Sequence, residues 1–318
     1  MATLLDGLIS SYTKQFHNKK LMLGLSGGVD SVVLLYLLVQ LRQQFSFTLD
    51  AIHINHGISE NTQEWEHFCI KLCNSLHVTL HLSHHKVLKS GGESLENNAR
   101  NIRYNVFSRL NTDIIVLAHH KNDQIETMLS QIIRGSDIHN IASMNYISTR
   151  GDKVFWRPLL NCTRNQIEQY ALTNSITHIE DESNYNTKYL RNFIRHQLLP
   201  SMVNWDTNVI NKLNNIVVQM QDTSHLLDEL AQEDLFTCLF STNTISVEKF
   251  NLLSKLRQVN MLNFFIRSKN LAIPSQKKIV EFCRQVNNSA WDRQPKLTIT
   301  NKYYLLKNKN QIYVKFND

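Results

Sequence analysis

The first residues with chemical potential form the segment Ser26–Ser31, which reads Ser-Gly-Gly-Val-Asp-Ser. Its two glycines would let the backbone turn sharply and approach a ligand closely. A helix beginning directly after them would direct free N–H groups at the loop, and with the two serine hydroxyls this favours an anion such as phosphate. Asp30 would repel a phosphate unless Mg²⁺ lay between the two, so we expect Asp30 to hold this ion. For the glycine pair alone, a turn that binds nothing is the alternative.

Two carboxylates and two guanidinium groups form a second set of candidates. Asp123 and Glu126 are three residues apart, so they share one face of a predicted helix. This pair suits a cationic ligand, and one member could accept a proton from an ammonium nucleophile. Arg191 and Arg195 are four residues apart, and their forked guanidinium groups fit phosphate oxygens. Solvated helix surfaces are the alternative for both pairs.

Apolar runs and helical patterns alternate between residues 21 and 135, and these elements must position the candidates. Strands are predicted at Leu21–Leu25, Thr48–Ile54, Val78–Leu82 and Ile114–Ala118, each followed by a helix. This order predicts an α/β fold with a doubly wound parallel sheet. Ligands bind at the carboxyl ends of the strands in such a sheet, where the loops at 26–31, 55–60, 83–92 and 119–123 would lie.

The C-terminal region differs from this pattern in both charge and element type. Residues 235–318 hold 14 Lys and Arg against 4 Asp and Glu, whereas the whole chain has a net charge of +7. A basic excess of this size predicts a polyanionic partner, with a lysine-rich solvated surface as the alternative. We therefore predict a catalytic domain at 1–200, a helical connector at 201–233 with Asp206 capping its helix, and a smaller basic α+β domain at 234–318. Tyrosines and lysines interleave in its last strands, either to stack on bases or to form a half-buried core.

Cysteine usage and hydropathy indicate the compartment. The five cysteines include no C-x-x-C pair, which favours buried thiols in a reducing cytosol over zinc or disulfide sites. No apolar run approaches the ~20 residues of a membrane span. The first 16 residues predict an amphipathic helix rather than a secretory signal, and we expect a cytoplasmic protein that does not enter a membrane.

The loop at residues 26–31 lacks the Lys of a Walker A motif and resembles the pyrophosphate-binding loop of the N-type ATP pyrophosphatases. Further segments, in their order and spacing, resemble the tRNA(Ile)-lysidine synthase family. They read HINHG (53–57), AHHKNDQIET (118–127), WRPLL (156–160), IEDESN (179–184), RNFIR (191–195) and, more weakly, AIPSQ (272–276). Some members of that family carry a second C-terminal domain, and the resemblance of this chain extends to the first.

The resemblance implies an ATP-dependent ligase. It would adenylylate C2 of the wobble cytidine in the isoleucine tRNA with a CAU anticodon and release pyrophosphate. The ε-amine of free L-lysine would then displace AMP, which gives lysidine. ATP and Mg²⁺ would be required, and a homodimer is compatible with the family. The resemblance assigns catalysis to Asp30, Asp123, Glu126 and Arg191, with Arg191 at the ATP, and lysine binding to Asp123 and Glu126. It assigns ATP binding to the loop residues Ser26, Gly27, Gly28, Val29, Asp30 and Ser31.

Two departures from the family pattern are Asn122, where an aspartate is usual, and Asp137, where a glycine is frequent. The histidines at 56, 119 and 120 flank strand ends in a spacing that matches no metal motif, so packing or substrate-shaping roles are expected. Asp181, Ser183 and Asn184 are open between tRNA contact and helix capping. Rival functions are a tRNA thiolase or an NAD synthetase on the same loop, and an RNA-binding protein with a decayed nucleotide loop. A thiolase usually needs paired catalytic cysteines or a C-x-x-C, and an intact Asp30 and glycine pair disfavour decay.

Overall fold

The structure, a computed structural model, describes residues 4–12, 16–57, 61–85, 95–180, 189–241 and 243–316. The chain divides into two compact units, residues 1–218 and residues 219–318. Asp181, Ser183 and Asn184 lie outside the described residues. Within the described ranges, no helix is both long enough and apolar enough to cross a membrane.

A six-stranded sheet forms the centre of the N-terminal unit and confirms the predicted doubly wound α/β fold. Its order is β3-β2-β1-β4-β6-β5, and all neighbours are parallel except the antiparallel β5–β6 pair. The strands are β1 Lys20–Gly24, β2 Thr48–Asn55, β3 Thr79–His84, β4 Ile114–Val116, β5 Ile147–Arg150 and β6 Lys153–Trp156. The sequence did not predict β5 and β6. They are four-residue strands at one edge, joined at Gly151 with φ +62°, and β5 has no buried residue.

Helices cover both faces of this sheet because its strands alternate buried side chains between the faces. Leu21, Leu23 and Val116 belong to the larger core, whereas Met22 and Ile115 belong to the core on the other face. The helices of the unit are α1 Leu4–Ser11, α2 Val29–Leu41, α3 Thr62–Ser75, α4 Leu95–Arg109, α5 Lys121–Ile133, α6 Ile138–Ile141, α7 Arg164–Thr173, α8 Leu190–Phe193 and α9 Leu199–Trp205. A single π-helical turn, Ile194–Leu198, joins α8 to α9.

The order of the strands fixes where a ligand can enter. The chain runs from β1 outward through β2 to β3 and then returns to place β4 on the other side of β1. The loops that follow β1 and β4 therefore diverge at their carboxyl ends, which is where open α/β sheets bind ligands. The β1 loop leads into α2, and the β4 loop leads into α5.

The C-terminal unit consists of an antiparallel sheet packed against helices. Five antiparallel strands in the order β7-β8-β11-β10-β9 pack against helices through a core that includes Ile245, Phe265, Phe282, Leu305 and Ile312. The strands are β7 Leu239–Ser241, β8 Thr244–Ser246, β9 Lys296–Thr298, β10 Tyr303–Asn308 and β11 Gln311–Phe316, and the helices are α11 Val247–Leu252, α12 Lys255–Ser268 and α13 Gln276–Asn288. This confirms the predicted smaller α+β domain.

The helix α10, Val209–Cys238, occupies much of the predicted connector. It begins three residues after Asp206, which was predicted as its cap. Asp206 instead accepts a hydrogen bond from the Asn208 amide at 2.8 Å and pairs with Lys212 at 2.6 Å. This Asx turn stabilises the residues that lead into the helix. Asp206 therefore acts in the turn before α10 and does not cap its first residue.

Candidate active site

The loop between β1 and α2 is built around Gly27. Its φ of +91° is one that other residues rarely adopt, and a Cβ there would lie 2.7 Å from Ile179 Cδ1. Its carbonyl accepts a hydrogen bond from the Ile179 amide at 2.9 Å. Ser31 Oγ donates to the Gly28 carbonyl at 3.0 Å and lies 3.1 Å from Ser26 Oγ. The loop is thus held in shape before any ligand binds, with the first turn of α2 opening onto it.

Asp30 carries a buried oxygen that lacks a partner. Its Oδ1 has no hydrogen bond and lies 3.6 Å from His120 Nε2, a buried nitrogen that is unpartnered as well. Burial raises the pKa of Asp30, and the nearby Asp123 charge adds to this, whereas His120, Arg164 and Arg195 oppose it. A buried carboxylate oxygen without a donor fits a cation ligand, and Mg²⁺ takes only one or two carboxylates when phosphates supply further oxygens. The described residues contain no cluster of three or more His, Cys, Asp or Glu side chains that could hold a metal ion.

His120 connects Asp30 to the start of α5. As the N-cap residue it accepts a hydrogen bond at Nδ1 from the Asp123 amide (3.2 Å), and its own amide donates to Asp123 Oδ2 (3.0 Å). This reciprocal pair is a capping box in which histidine takes the place usually held by Ser or Thr. Because Nδ1 accepts, a neutral imidazole carries its proton on Nε2, which lies toward Asp30.

Four charged side chains form the centre of the site. Arg191 Nε donates to Glu126 at 2.9 Å, and another nitrogen of the same guanidinium donates to Asp123 at 2.7 Å. Arg195 donates to both oxygens of Glu126 at 2.7 and 2.8 Å and to Asp123 at 3.2 Å. Both carboxylates lie on α5, and the arginines lie on α8 and on the π-helical turn. We call these four residues the charge cluster.

The charge cluster is largely shielded from water. The Glu126 side chain is 1% exposed and that of Asp123 10%, whereas Arg191 and Arg195 are 32% and 21% exposed. Burial alone would raise the pKa of Asp123, but His120, Arg191, His119 and Arg195 outweigh it and lower that pKa far below its usual range. Asp123 is therefore a weak base as long as the arginines stay beside it. The π-helical turn is a feature frequently found at functional sites.

The predicted site residues other than Arg191 lie at the loop after β1 and at the start of α5, and His120 connects the two places. His120 lies between Asp30 and Asp123. Arg191 in turn pairs with both Asp123 and Glu126. The arginines were predicted to hold phosphate and the carboxylates to hold a cationic substrate, and without ligands the two pairs neutralise each other. The unusual histidine N-cap was missed because the sequence signal for a cap is Ser, Thr, Asp or Asn.

The two departures from the family pattern each have a local structural use. Asn122 Oδ1 accepts from the Arg164 amide at 3.0 Å, at the first residue of α7. Asp137 accepts from the Asn140 amide at 3.0 Å and caps α6. An amide oxygen can satisfy the α7 N–H as well as a carboxylate can, so the change at 122 preserves this contact.

The remaining histidines at the strand ends are neutral groups. Burial lowers the pKa of His56 to about 4 and that of His119 to about 3. The Nδ1 atoms of both are buried without a hydrogen bond. Their roles in packing or substrate shaping stay predictions.

Family, sequence and fold all relate this chain to known proteins. Residues 3–202 match the PP-loop domain family, and residues 245–309 match the TilS substrate binding domain. A tRNA(Ile)-lysidine synthase of Nitrosomonas europaea is 36% identical over 272 residues, which are 85% of this chain and 59% of that protein. Another, of Actinobacillus pleuropneumoniae, is 32% identical over 315 residues, which are 98% of this chain and 74% of that protein.

The chain spans only part of the length of these relatives, and its fold is also similar to a solved structure. The chain spans 59% and 64% of the N. europaea and Chromobacterium violaceum relatives. Among solved structures, the U34-tRNA thiolase of Methanococcus maripaludis with its [4Fe-4S] cluster aligns with a TM-score of 0.58 and 16% identity. The alignment covers 69% of this chain and 78% of that one, and at this identity it supports the fold alone.

Proposed function

This chain belongs to the tRNA(Ile)-lysidine synthase family, and we propose that it joins free L-lysine to C2 of the wobble cytidine in the isoleucine tRNA with a CAU anticodon. ATP is consumed in two steps: adenylylation of the tRNA with release of pyrophosphate, and displacement of AMP by the lysine ε-amine. The observation that carries the proposal is the unpartnered oxygen of Asp30, buried in the Ser-Gly-Gly-Val-Asp-Ser loop beside the charge cluster. In this proposal, that arrangement would supply a triphosphate site and a cationic-substrate site side by side.

The loop and the first turn of α2 would bind the phosphates of ATP. Backbone N–H groups at this helix start are free to donate to phosphate oxygens, and no side chain caps them. Asp30 is the residue that would hold Mg²⁺, with phosphate oxygens completing the coordination. When bound, the ion would neutralise the charge that develops on the departing pyrophosphate.

The carboxylates of the charge cluster would recognise lysine after an exchange of partners. Lysine brings two ammonium groups, which require anionic partners in a shielded site. Asp123 and Glu126 can offer such partners only when the guanidinium groups of Arg191 and Arg195 release them. Phosphate oxygens are strong alternative partners for guanidinium groups, so ATP would draw the arginines away.

The exchange also accounts for deprotonation of the nucleophile. The ε-ammonium must lose a proton before it attacks C2 of the cytidine. While paired, Asp123 is too weak a base, because His120 and the arginines lower its pKa. Departure of the arginines removes part of that effect, so the carboxylate becomes a better proton acceptor once the phosphates are bound.

The C-terminal unit would hold the tRNA, in keeping with its match to a substrate binding domain. Three of its arginines are already paired: Arg257 with Asp234, Arg267 with Asp228 and Arg284 with Glu281. Its positive potential toward a polyanion therefore rests mainly on lysines, together with Arg293. Such contacts would make tRNA binding strongly dependent on salt.

A thiolase function is the alternative from the same superfamily, and the cysteines do not favour it. Cys69 and Cys73 are buried, which raises their pKa to about 12 and about 11. Burial likewise raises the pKa of Cys162, Cys238 and Cys283. Thiols with raised pKa are poor nucleophiles and poor cluster ligands.

The decisive experiment follows radiolabelled lysine into an isoleucine tRNA transcript with the CAU anticodon. ATP-dependent incorporation is expected there and not in the methionine tRNA transcript with the same anticodon. Incorporation of sulfur from a sulfur donor, with none of lysine, would refute the proposal.

A second measurement tests the exchange of partners. Lysine binding is titrated by calorimetry with and without a non-hydrolysable ATP analogue and Mg²⁺. The analogue should tighten lysine binding, and by linkage lysine should tighten binding of the analogue by the same factor. Equal lysine affinity in both titrations would show that the carboxylates need no release.

A further inference from the structure

The loop that joins α13 to β9, residues 289–295, presents an isolated aromatic side chain to solvent. Trp291 is its third residue and is 63% exposed. A tryptophan with this exposure is uncommon, because most of its apolar surface remains in contact with water. An aromatic ring on a fixed backbone can stack on a planar ligand without first ordering the loop.

A buried lysine fixes this loop. Lys307 on β10 is 2% exposed, and its Nζ donates to the carbonyls of Ala290 at 2.8 Å and Arg293 at 3.4 Å. The Lys307 amide also donates to the Pro295 carbonyl at 3.0 Å. Three contacts from one residue thus hold both ends of the turn that displays Trp291. The backbone on either side of Trp291 is therefore held in place by these contacts.

One cationic group lies beside the aromatic ring, and a second follows in the same loop. Lys309, at the turn between β10 and β11, places its Nζ 5.1 Å from the centre of the Trp291 ring. Arg293 follows two residues later and is exposed, and within the described residues its guanidinium makes no ion pair. Asp292 is the acidic residue of the loop, so the loop and the turn together carry two positive charges against one negative.

A cavity of about 410 Å³ opens beside this loop. Its lining includes Arg284, Arg293, Gln285, Asn288 and Gln294. Arg284 is held by Glu281 through two 2.7 Å hydrogen bonds, so Arg293 is the uncompensated charge among these. This cavity is open to solvent, and neither Trp291 nor Lys309 is part of its lining. Amides and guanidinium groups suit a polar anion with hydrogen-bonding edges, and they do not suit an apolar ligand.

We propose that the 289–295 loop is a nucleotide-binding site for an unpaired or end nucleotide of the RNA substrate, with a base stacked on Trp291 and the backbone phosphate held by Arg293 and Lys309. This rests on the proposed function, which supplies a tRNA substrate, and it assigns a place for one tRNA contact. Proteins recognise unpaired RNA bases by stacking them on aromatic rings next to basic side chains.

The test measures tRNA binding by the full chain in the absence of ATP and lysine. Stacking on an aromatic ring contributes about 1–3 kcal/mol per base, so Trp291→Ala should weaken binding roughly tenfold. Trp291→Phe should retain most of the affinity because a ring remains. Arg293→Gln should weaken binding and lower the salt slope by about one. The substituted side chains are exposed, and an unchanged unfolding temperature would establish that the variants fold.

The matched control is Lys277→Gln, an exposed charge on the same helix α13. It lies about 16 Å along the helix from Asn288, from a rise of ~1.5 Å per residue. A loss for Lys277→Gln equal to that for Arg293→Gln would reduce the site to general basic charge and overturn the proposal. Wild-type affinity in Trp291→Ala would overturn it too.

Two further readouts distinguish an RNA site from a catalytic role and from a site for a free nucleotide. In steady-state assays Trp291→Ala should raise the KM for tRNA and leave kcat at saturating tRNA unchanged. If free AMP binds at the loop and is lost in Trp291→Ala while tRNA binding stays intact, the site serves a free nucleotide and the proposal is wrong. If wild-type protein incorporates no lysine but Trp291→Ala still loses RNA affinity, the proposed function fails and this RNA site stands.

Discussion

Substitution of Glu126 by glutamine tests the charge cluster most directly. Glu126 accepts three hydrogen bonds from Arg191 and Arg195, and its side chain is 1% exposed. Glutamine keeps the size of the side chain and removes its charge. Asp123 would then face two guanidinium groups alone, and one N–H of the new amide would meet an arginine N–H.

The expected loss of stability follows from burial. Removing one partner of a buried ion pair costs about 3–5 kcal/mol. The arginine side chains are 32% and 21% exposed, so water would offset part of this cost, and we expect roughly 2–4 kcal/mol for the variant. For a unit of 218 residues this corresponds to a fall of roughly 5–15 °C in the unfolding temperature.

Calorimetry of the full chain measures this loss, with Glu168→Gln as the matched control. Glu168 pairs with Arg164 at 2.7 Å, but the two side chains are 49% and 37% exposed, so its loss should cost less than about 1 kcal/mol. The double variant Glu126→Gln with Arg195→Gln restores charge balance and should recover at least half of the loss. Neither variant should show normal lysine dependence, and adenylylated tRNA should accumulate in Glu126→Gln, which keeps both arginines for the phosphates. Equal stability of Glu126→Gln and Glu168→Gln would refute the reasoning.

Three other predictions concern the loop and one histidine. Asp30→Asn should lower pyrophosphate release about 10²–10³-fold, because the residue that would hold Mg²⁺ is lost. The unfolding temperature should not fall, because burial raises the pKa of this carboxyl and so disfavours its charged form in the folded protein. A clear loss of stability would contradict this account. Gly27→Ala should destabilise the fold, because φ is +91° and the added Cβ would lie 2.7 Å from Ile179 Cδ1. Gly28→Ala is the control, because the nearest atom to a Cβ there is 3.6 Å away. Thermal unfolding should occur at a lower temperature in Gly27→Ala than in Gly28→Ala, and equal temperatures would count against the steric argument. Burial lowers the pKa of His119 in the folded protein to about 3, from about 6.5 in the unfolded chain. Between these pH values the unfolded chain binds a proton that the folded protein does not. The free energy of unfolding should therefore decrease as pH falls from about 6.5 toward 3, by up to about 1.4 kcal/mol per pH unit. Urea unfolding between pH 7 and 5 should show a flatter slope for His119→Gln, and an unaltered slope would exclude this histidine.

The fold was predictable where strands are buried on both faces. The runs around Leu23, Ile52 and Ile115 are apolar enough to stand out, and they are β1, β2 and β4 of the observed sheet. The hairpin of β5 and β6 was not predicted because it lies at the edge and carries half-buried residues such as Ser148 and Lys153. A strand that is only partly buried leaves little hydrophobic pattern in the sequence.

The site was predictable in its members and not in its pairings. Spacing alone places Asp123 and Glu126 on one helix face, and Arg191 and Arg195 on another. The arginines that contact Glu126 lie 65 and 69 residues further along the chain, so the contact depends on how α8 and the π-helical turn pack against α5. Both guanidinium groups fit phosphate as well as carboxylate, and chemistry by itself does not choose between them.

The charge balance of the ligand-free site argues for an order of binding. Asp123 and Glu126 are matched by two arginines, whereas Asp30 has a buried oxygen with no donor. The unmet charge therefore favours a cation at Asp30 first, and in the proposed function that cation arrives with the phosphates of ATP. Those phosphates then compete for the guanidinium groups, and the carboxylates they leave are buried anions that lack partners. An unpaired buried anion is costly, so lysine binding at that moment removes a penalty that the phosphates have just created. In the proposed function, lysine is therefore expected to bind most tightly after ATP.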